Sequence, residues 1–151
     1  MGLFQSFDIA ASGMTAQRFR MDVIAENIAN VSTTRTEDGT PYRRKIVTFE
    51  EKELNTGVSS FSNILKDNFD SYKGNGVKVT EVTEDYDTDF IMEYDPSHPD
   101  ADENGYVSYP NVNTVTEMTN LIDTSRSYEA NTTAFEAVKS MAQSGIAIGQ
   151  G

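Results

Sequence analysis

The 151 residues include no cysteine and no tryptophan, and histidine occurs once, at His98. Without cysteine there are no disulfides, no thiolate metal sites and no cysteine nucleophiles. Positive charge is also scarce: 12 Lys and Arg stand against 24 Asp and Glu, for a net charge of −12. The basic footprint of a nucleic-acid binder is therefore missing, and an anionic membrane surface is a disfavoured partner for the same reason. No apolar run approaches the ~20 residues of a transmembrane helix. The opening stretch MGLFQSFDIAASGMTAQRFR has no basic segment followed by a continuous apolar core, so a Sec signal peptide is not expected. MGLFQS places Ser6 where the myristoylation pattern requires a hydroxyl, but a pattern this short often arises by accident.

What charge there is lies in the middle. Residues 37–103 hold 17 acidic and 7 basic side chains, the first 36 residues hold three of each, and residues 104–151 hold four acids and two bases. The length suits one domain, or one compact unit with extended arms. Near-neutral termini can pack closely while an acidic middle stays solvated.

Two helical patterns frame that middle. In the first, Leu3 to Asn30, Phe7, Met14, Met21 and Ile28 recur every seven residues; Leu3, Ala10, Gln17, Ile24 and Val31 form the second line of the same heptad. No proline interrupts it, Gln17 is its one polar break, and Gly13 weakens it slightly. In the second, Thr114 to Ile148, Leu121, Tyr128, Phe135 and Ala142 step by seven, with Met118, Ser125, Thr132 and Ile146 near a companion line. Val115, Ile122, Val138 and Met141 widen this apolar face. Asn113 or Thr114 is placed to cap the second helix, with Glu117 set for a capping box.

Between them lie four strand candidates: Tyr42–Glu50, Gly76–Val82, Asp89–Tyr94 and Gly105–Tyr109. Turn signals separate them at Asp38-Gly39-Thr40-Pro41, Gly74-Asn75-Gly76 and Pro96–Gly105. Ser59–Lys73 reads as a short amphipathic helix with Ile64, Leu65 and Phe69 on one face. The expected fold is α+β: long N- and C-terminal helices pairing as an antiparallel coiled coil, around a small β-rich middle region. The expected division is 1–34 as an N-terminal assembly helix, 35–112 as an acidic β-containing region and 113–151 as a C-terminal assembly helix.

The motifs carry little chemistry. His98 sits between Ser97 and Pro99 in an acidic loop and reads as an exposed loop residue, without the nucleophile or carboxylate partner of a catalytic imidazole. Gly74-Asn75-Gly76 lacks the third glycine and the lysine of a phosphate loop and reads as a turn. Asp100, Asp102, Asn104 and Gly105 spell the first half of an EF-hand loop. The bidentate Glu needed at the twelfth position is replaced by Asn111, and prolines flank the loop in place of a helix. A turn with Asn104-Gly105 at its tight corner is the simpler reading. No enzyme, cofactor, metal site, nucleic-acid partner or small-molecule substrate is expected.

Long apolar seams at both termini, with a middle too short to bury them, point to pairing with each other or with copies of the chain. The expected interface comprises Phe7, Met14, Met21, Ile24 and Ile28 against Leu121, Tyr128, Phe135 and Val138. Two further readings stay open at this point: a calcium-responsive acidic binding module, and a helical secreted effector.

The residues also carry a resemblance. Ile24–Thr33, IAENIANVST, followed by Asp38–Glu50, DGTPYRRKIVTFE, resembles the N-terminal signature of the flagellar rod and hook protein family. Its core is Asn27-Ile28-Ala29-Asn30 followed by the aromatic-basic pair Tyr42-Arg43, here at a longer spacing than in most of the family. Glu103–Met141 is similar to the C-terminal helix of proximal rod members, whereas Glu51–Tyr72 departs from the shorter versions in the family. The resemblance implies an axial subunit of the bacterial flagellar basal body in the cell envelope. Such subunits are exported unfolded through the flagellum-specific type III apparatus, assemble with other rod proteins and copies of themselves, and transmit motor torque. It further implies that the terminal helices pair antiparallel and that the middle forms an outer β-containing domain. Asn27 and Asn30 are expected to satisfy backbone groups at the helix end.

Overall fold

A computed structural model describes residues 3–52 and 74–149. The amphipathic segment expected at Ser59–Lys73 lies outside the described residues. The elements run α1 (Leu3–Ala29), β1 (Lys45–Glu51), β2 (Val77–Glu84), β3 (Ile91–Tyr94), β4 (Tyr106–Tyr109) and α2 (Thr114–Gly149). The architecture is α+β, with two long helices packed on one another and small antiparallel sheets from the middle of the chain.

Helix α1 ends where its side chains begin to compete for backbone groups. The Asn30 amide side chain donates to the Glu26 carbonyl at 3.0 Å, and the Thr33 hydroxyl donates to Asn30 Oδ1. Helix α2 starts at Asn113, whose Oδ1 accepts the N–H groups of Val115 and Thr116 at 3.0 and 3.1 Å, the geometry of an N-cap.

Strands β1 and β2 form one two-stranded sheet, and β3 and β4 the other. Lys52 N–H bonds the Gly76 carbonyl beyond one end of the first ladder and Asp85 N–H bonds the Arg44 carbonyl beyond the other, so β1 and β2 run antiparallel. In the second sheet Ile91 faces Tyr109 and Tyr94 faces Tyr106. Half-buried and exposed positions alternate along β1 as far as Glu50; in β2 the alternation breaks at Glu81, and Val82 turns outward. Gly39, Gly76 and Gly105 occupy the left-handed region at φ 78°, 89° and 83°, at the three turns expected from sequence.

The chain forms two compact units. One comprises residues 1–16, 49–79 and 128–151, the other residues 17–48 and 80–127. In the first, Phe7 packs edge-to-face on Phe135 with ring centroids 5.0 Å apart, and the Thr132 hydroxyl meets Met14 Sδ at 3.4 Å. Partners later in α1 lie earlier in α2, so the helices are antiparallel. Gly13 is buried beneath Asn131, where a Cβ would sit 2.7 Å from Oδ1, so the glycine permits this close approach. In the same unit the Ser12 hydroxyl accepts the Val77 N–H at 3.1 Å, seating the start of β2 on α1.

In α2 the line Leu121, Tyr128, Phe135 and Ala142 is half-buried, as its spacing predicts. The companion line differs in part from the expected one. Ser125 and Thr132 are half-buried, Met118 and Ile146 are exposed, and a further inward line runs through Glu117, Thr124, Asn131 and Val138. Three of these four are polar, so a search for apolar repeats passes over them.

Candidate assembly seam and its polar keystone

In the unit of residues 17–48 and 80–127 the buried apolar side chains, Val23, Ile24, Val107 and Val112 among them, are accompanied by a buried polar set. Asn27, near the end of α1, is 1% exposed. Its Nδ2 donates to the Lys45 carbonyl at 2.9 Å and to Glu117 Oε2 at 3.2 Å. Its Oδ1 accepts the Lys45 N–H and the Tyr42 hydroxyl, both at 2.9 Å. One amide therefore joins α1, the start of β1 and α2, with all four of its hydrogen-bonding positions used.

Glu117 is also 1% exposed. A capping box would turn its carboxylate back to the helix start; instead it faces Arg44. Arg44 Nη2 lies 2.8 Å from Glu117 Oε1, and Nε donates to the same oxygen at 2.9 Å. Two guanidinium N–H groups and the Asn27 amide thus compensate a buried carboxylate, which the N-terminal position in α2 further favours. Arg44 also lies 3.6 Å from Asp85 Oδ2, and its backbone N–H donates to Asn111 Oδ1 at 2.9 Å. The Asn111 amide donates onward to the carbonyls of Asp85 and Thr88. The residue that fails as a twelfth calcium ligand is therefore a buried tie between three loop segments.

Electrostatics follow from this packing. Burial pushes the Tyr42 hydroxyl well above its ordinary value, helped by the negative charges of Glu26, Glu84 and Glu117, so Tyr42 remains a donor to Asn27. Partial burial tends to raise Asp85, but hydrogen bonds from Thr88 and Asp87 and the charge of Arg44 outweigh it and hold the carboxyl below its ordinary range. The Arg43 guanidinium lies over two rings, 4.5 Å from the centroid of Tyr86 and 4.2 Å from that of Phe90, while Nη1 donates to the Asp85 carbonyl.

The expected seam residues fall into two groups. Ile24 is buried, and Phe7, Met14, Met21, Ile28, Leu121, Tyr128, Phe135 and Val138 are half-buried. Phe7 and Phe135 meet directly. Of the four motif residues, Asn30 bonds helix-end backbone, whereas the backbone partner of Asn27 is Lys45 in β1. Arg44, Asn111 and Glu117 were not singled out as site residues from sequence. The available signal was a second arginine directly after the motif pair and an acid on the inward line of α2.

The acidic loop is a closed turn. Asp102 Oδ1 accepts the N–H groups of Asn104 and Tyr106, which lower its carboxyl, and Asp100 accepts the Thr34 hydroxyl and lies 3.6 Å from Arg35. Among the described residues no three His, Asp or Glu side chains are grouped to hold a metal ion. His98 is half-buried rather than exposed: Nδ1 accepts the Asp100 N–H and the ring meets Tyr109 edge-on. No described helix is long and apolar enough to cross a membrane.

Two long terminal helices packed on one another, with a buried polar set between them, define a class of helix-paired proteins, and comparison with known proteins places that class. Residues 7–35 match the family model described as "Flagella basal body rod protein", and residues 103–148 match that described as "Flagellar basal body rod FlgEFG protein C-terminal". The chain is similar to the flagellar basal-body rod protein FlgC of Borreliella burgdorferi, at 46% identity over 155 aligned residues and 100% of each chain. It is similar to FlgC of Bacillus subtilis at 46% identity, over 99% of this chain and 100% of the relative. With FlgC of Escherichia coli O6:H1 the identity is 39%, again over 99% and 100%. The chain belongs to the FlgC family of flagellar basal-body rod proteins, structural subunits of the rod in the flagellar basal body.

Proposed function

We propose that this subunit polymerises through its two terminal helices with other rod components and copies of itself, and that the assembly transmits motor torque without any catalytic step. The observation that carries this reading is the two-sided character of α2. Its inward lines pair with α1, while Val115, Met118 and Ile122, spaced three and four apart, are 75%, 52% and 54% exposed on another face. An apolar stripe at that spacing is the contact face of a second helix. The seam residues Phe7, Met14, Met21, Ile24, Ile28, Leu121, Tyr128, Phe135 and Val138 act in assembly by building the helix pair, and the outward stripe acts by meeting neighbours. Residues 1–34 and 113–151 are the assembly helices, and 35–112 the acidic outer region. Its β3–β4 hairpin adds a second apolar face, with Met92, Tyr94 and Tyr106 exposed on one side. Delivery is unfolded, through the flagellar type III export apparatus, a route suited to a chain without disulfides.

Swimming assays and basal-body isolation test this. Met21→Asp or Phe135→Asp abolishes rod assembly and motility. Replacing Val115, Met118 and Ile122 together by Ser leaves a folded monomer with wild-type helix content but prevents assembly. Normal swimming with intact basal bodies in the triple variant would sink the role given to the stripe.

A further inference from the structure

We propose that Asn27, Arg44 and Glu117 form a register lock that selects one alignment of α1 and α2 from alignments the heptad repeat alone leaves nearly equivalent. The inward face of α2 repeats itself every seven residues. Phe135, Tyr128 and Leu121 are all large, and Asn131 and Thr124 are polar and small enough to lie against Gly13. A slip of one heptad sets Phe7 against Tyr128 in place of Phe135, and Met14 against Ser125 in place of Thr132. Aromatic again meets aromatic, and neither helix loses its apolar contacts outright. A strict seven-residue pattern specifies pairing more strongly than it specifies position.

The buried polar set removes that degeneracy. A one-heptad slip moves Glu117 about 10 Å along the axis relative to Asn27. The carboxylate then loses the Asn27 amide, and the amide loses one of its four partners. Arg44 stays behind, because its strand is tied to Asn27 of α1 through Lys45, and the slip also breaks the bond from the Arg44 N–H to Asn111, which lies just before α2 and moves with it. A buried carboxylate without its guanidinium is far costlier than an imperfect apolar contact. A buried asparagine on a helix seam is a known means of fixing register. A one-heptad slip leaves the outward stripe of α2 facing almost the same way but displaces it about 10 Å along the axis, so the lock also sets the height at which the subunit presents it.

The absence of cysteine makes a direct test possible. Two double-cysteine versions of the full chain report alignment by oxidation of the isolated monomer: Met14→Cys with Thr132→Cys for the observed register, and Met14→Cys with Ser125→Cys for the slipped one. With the polar set intact, only the first pair closes readily. Combining each pair with Asn27→Leu, Arg44→Met and Glu117→Leu retains helix content by circular dichroism and raises closure of the slipped pair several-fold. An unchanged ratio between the two pairs in that background overturns the lock. If the triple replacement loses its helices, Asn27→Asp decides. It keeps the shape, removes both donors and sets a carboxylate against Glu117. Several-fold more slipped cross-link supports the lock, and a wild-type ratio refutes it.

Discussion

The two compact units solve the same problem, joining α1 to α2, with different chemistry. In one, the helices meet through a half-buried pair of phenyl rings, a methionine against a threonine, and a glycine under an asparagine. In the other, apolar side chains such as the buried Ile24 and the half-buried Leu121 are supplemented by an amide with four hydrogen bonds and a carboxylate bound by a guanidinium. Apolar contacts are non-directional and tolerate displacement; the polar set is directional and fails abruptly when one member is lost. The difference predicts unequal sensitivity to substitution. Glu117→Ala should cause the largest loss, about 3 kcal/mol, because the buried Asn27 amide and the half-buried Arg44 guanidinium lose their shared acceptor. Glu117→Gln should cost less, since it keeps an acceptor oxygen and the shape. Urea unfolding of the two variants measures the gap, and equal losses would mean that the charge contributes nothing.

Phe135→Ala probes the apolar unit. A buried Phe→Ala costs about 3–5 kcal/mol, and Phe135 is only half-buried, so a loss near ~2 kcal/mol is expected. Phe135→Leu should recover most of it, because the site demands volume more than geometry. A loss exceeding that of Glu117→Ala would reverse the ranking of the two units.

Much of the fold was legible because the signals are periodic. Both helices have the bounds expected from their heptads to within a residue, and the three turns fall at the expected glycines. The strands start one to three residues later than their patterns suggest, since β-branched runs mark a strand's centre better than its ends. The site was legible in part. Phe7, Ile24, Leu121 and Phe135 were found by apolar spacing, and Asn27 and Tyr42 through the family motif. Arg44, Asn111 and Glu117 were missed for one physical reason. A buried charge is identified by the partner that compensates it, and that partner is distant in sequence: 73 residues separate Arg44 from Glu117. Glu117 also satisfied a local rule, the capping box, which offered a sufficient explanation and concealed the long-range one. His98 shows the converse, since its loop context suggested exposure while Tyr109 covers one side of the ring.

A smaller effect sharpens the polar side. Asp85 Oδ1 accepts two backbone N–H groups, and Oδ2 accepts the Thr88 hydroxyl, all at 3.1 Å. Its carboxyl is held below the ordinary 3.8, so the charged form is the one the fold stabilises. That contribution is complete above the ordinary value and is lost as pH falls through the lowered one. Asp85→Asn should therefore cost about 1 kcal/mol at neutral pH, where the carboxylate is the better acceptor. The cost should vanish in acid well below 3.8, where wild type is protonated too. Urea midpoints at the two pH values decide it, and a gap that persists in acid would assign the effect to shape rather than charge.

The smallest effect belongs to the apolar unit and tests how closely its helices approach. Alanine at position 13 gains about 1 kcal/mol of helix propensity over glycine. Its Cβ would lie 2.7 Å from Asn131 Oδ1, too close for contact, but that oxygen is the end of a side chain that can rotate. The gain and the displacement nearly offset each other, so Gly13→Ala alone should change stability by less than about 1 kcal/mol. Asn131→Ala removes the obstacle, and the two substitutions should then couple favourably, with Gly13→Ala more stabilising in the Asn131→Ala background than in wild type. A double-mutant cycle by thermal or urea unfolding reads that coupling directly. Strict additivity would mean that the glycine is there for some reason other than the approach of Asn131, and that the apolar unit is looser than the distances imply.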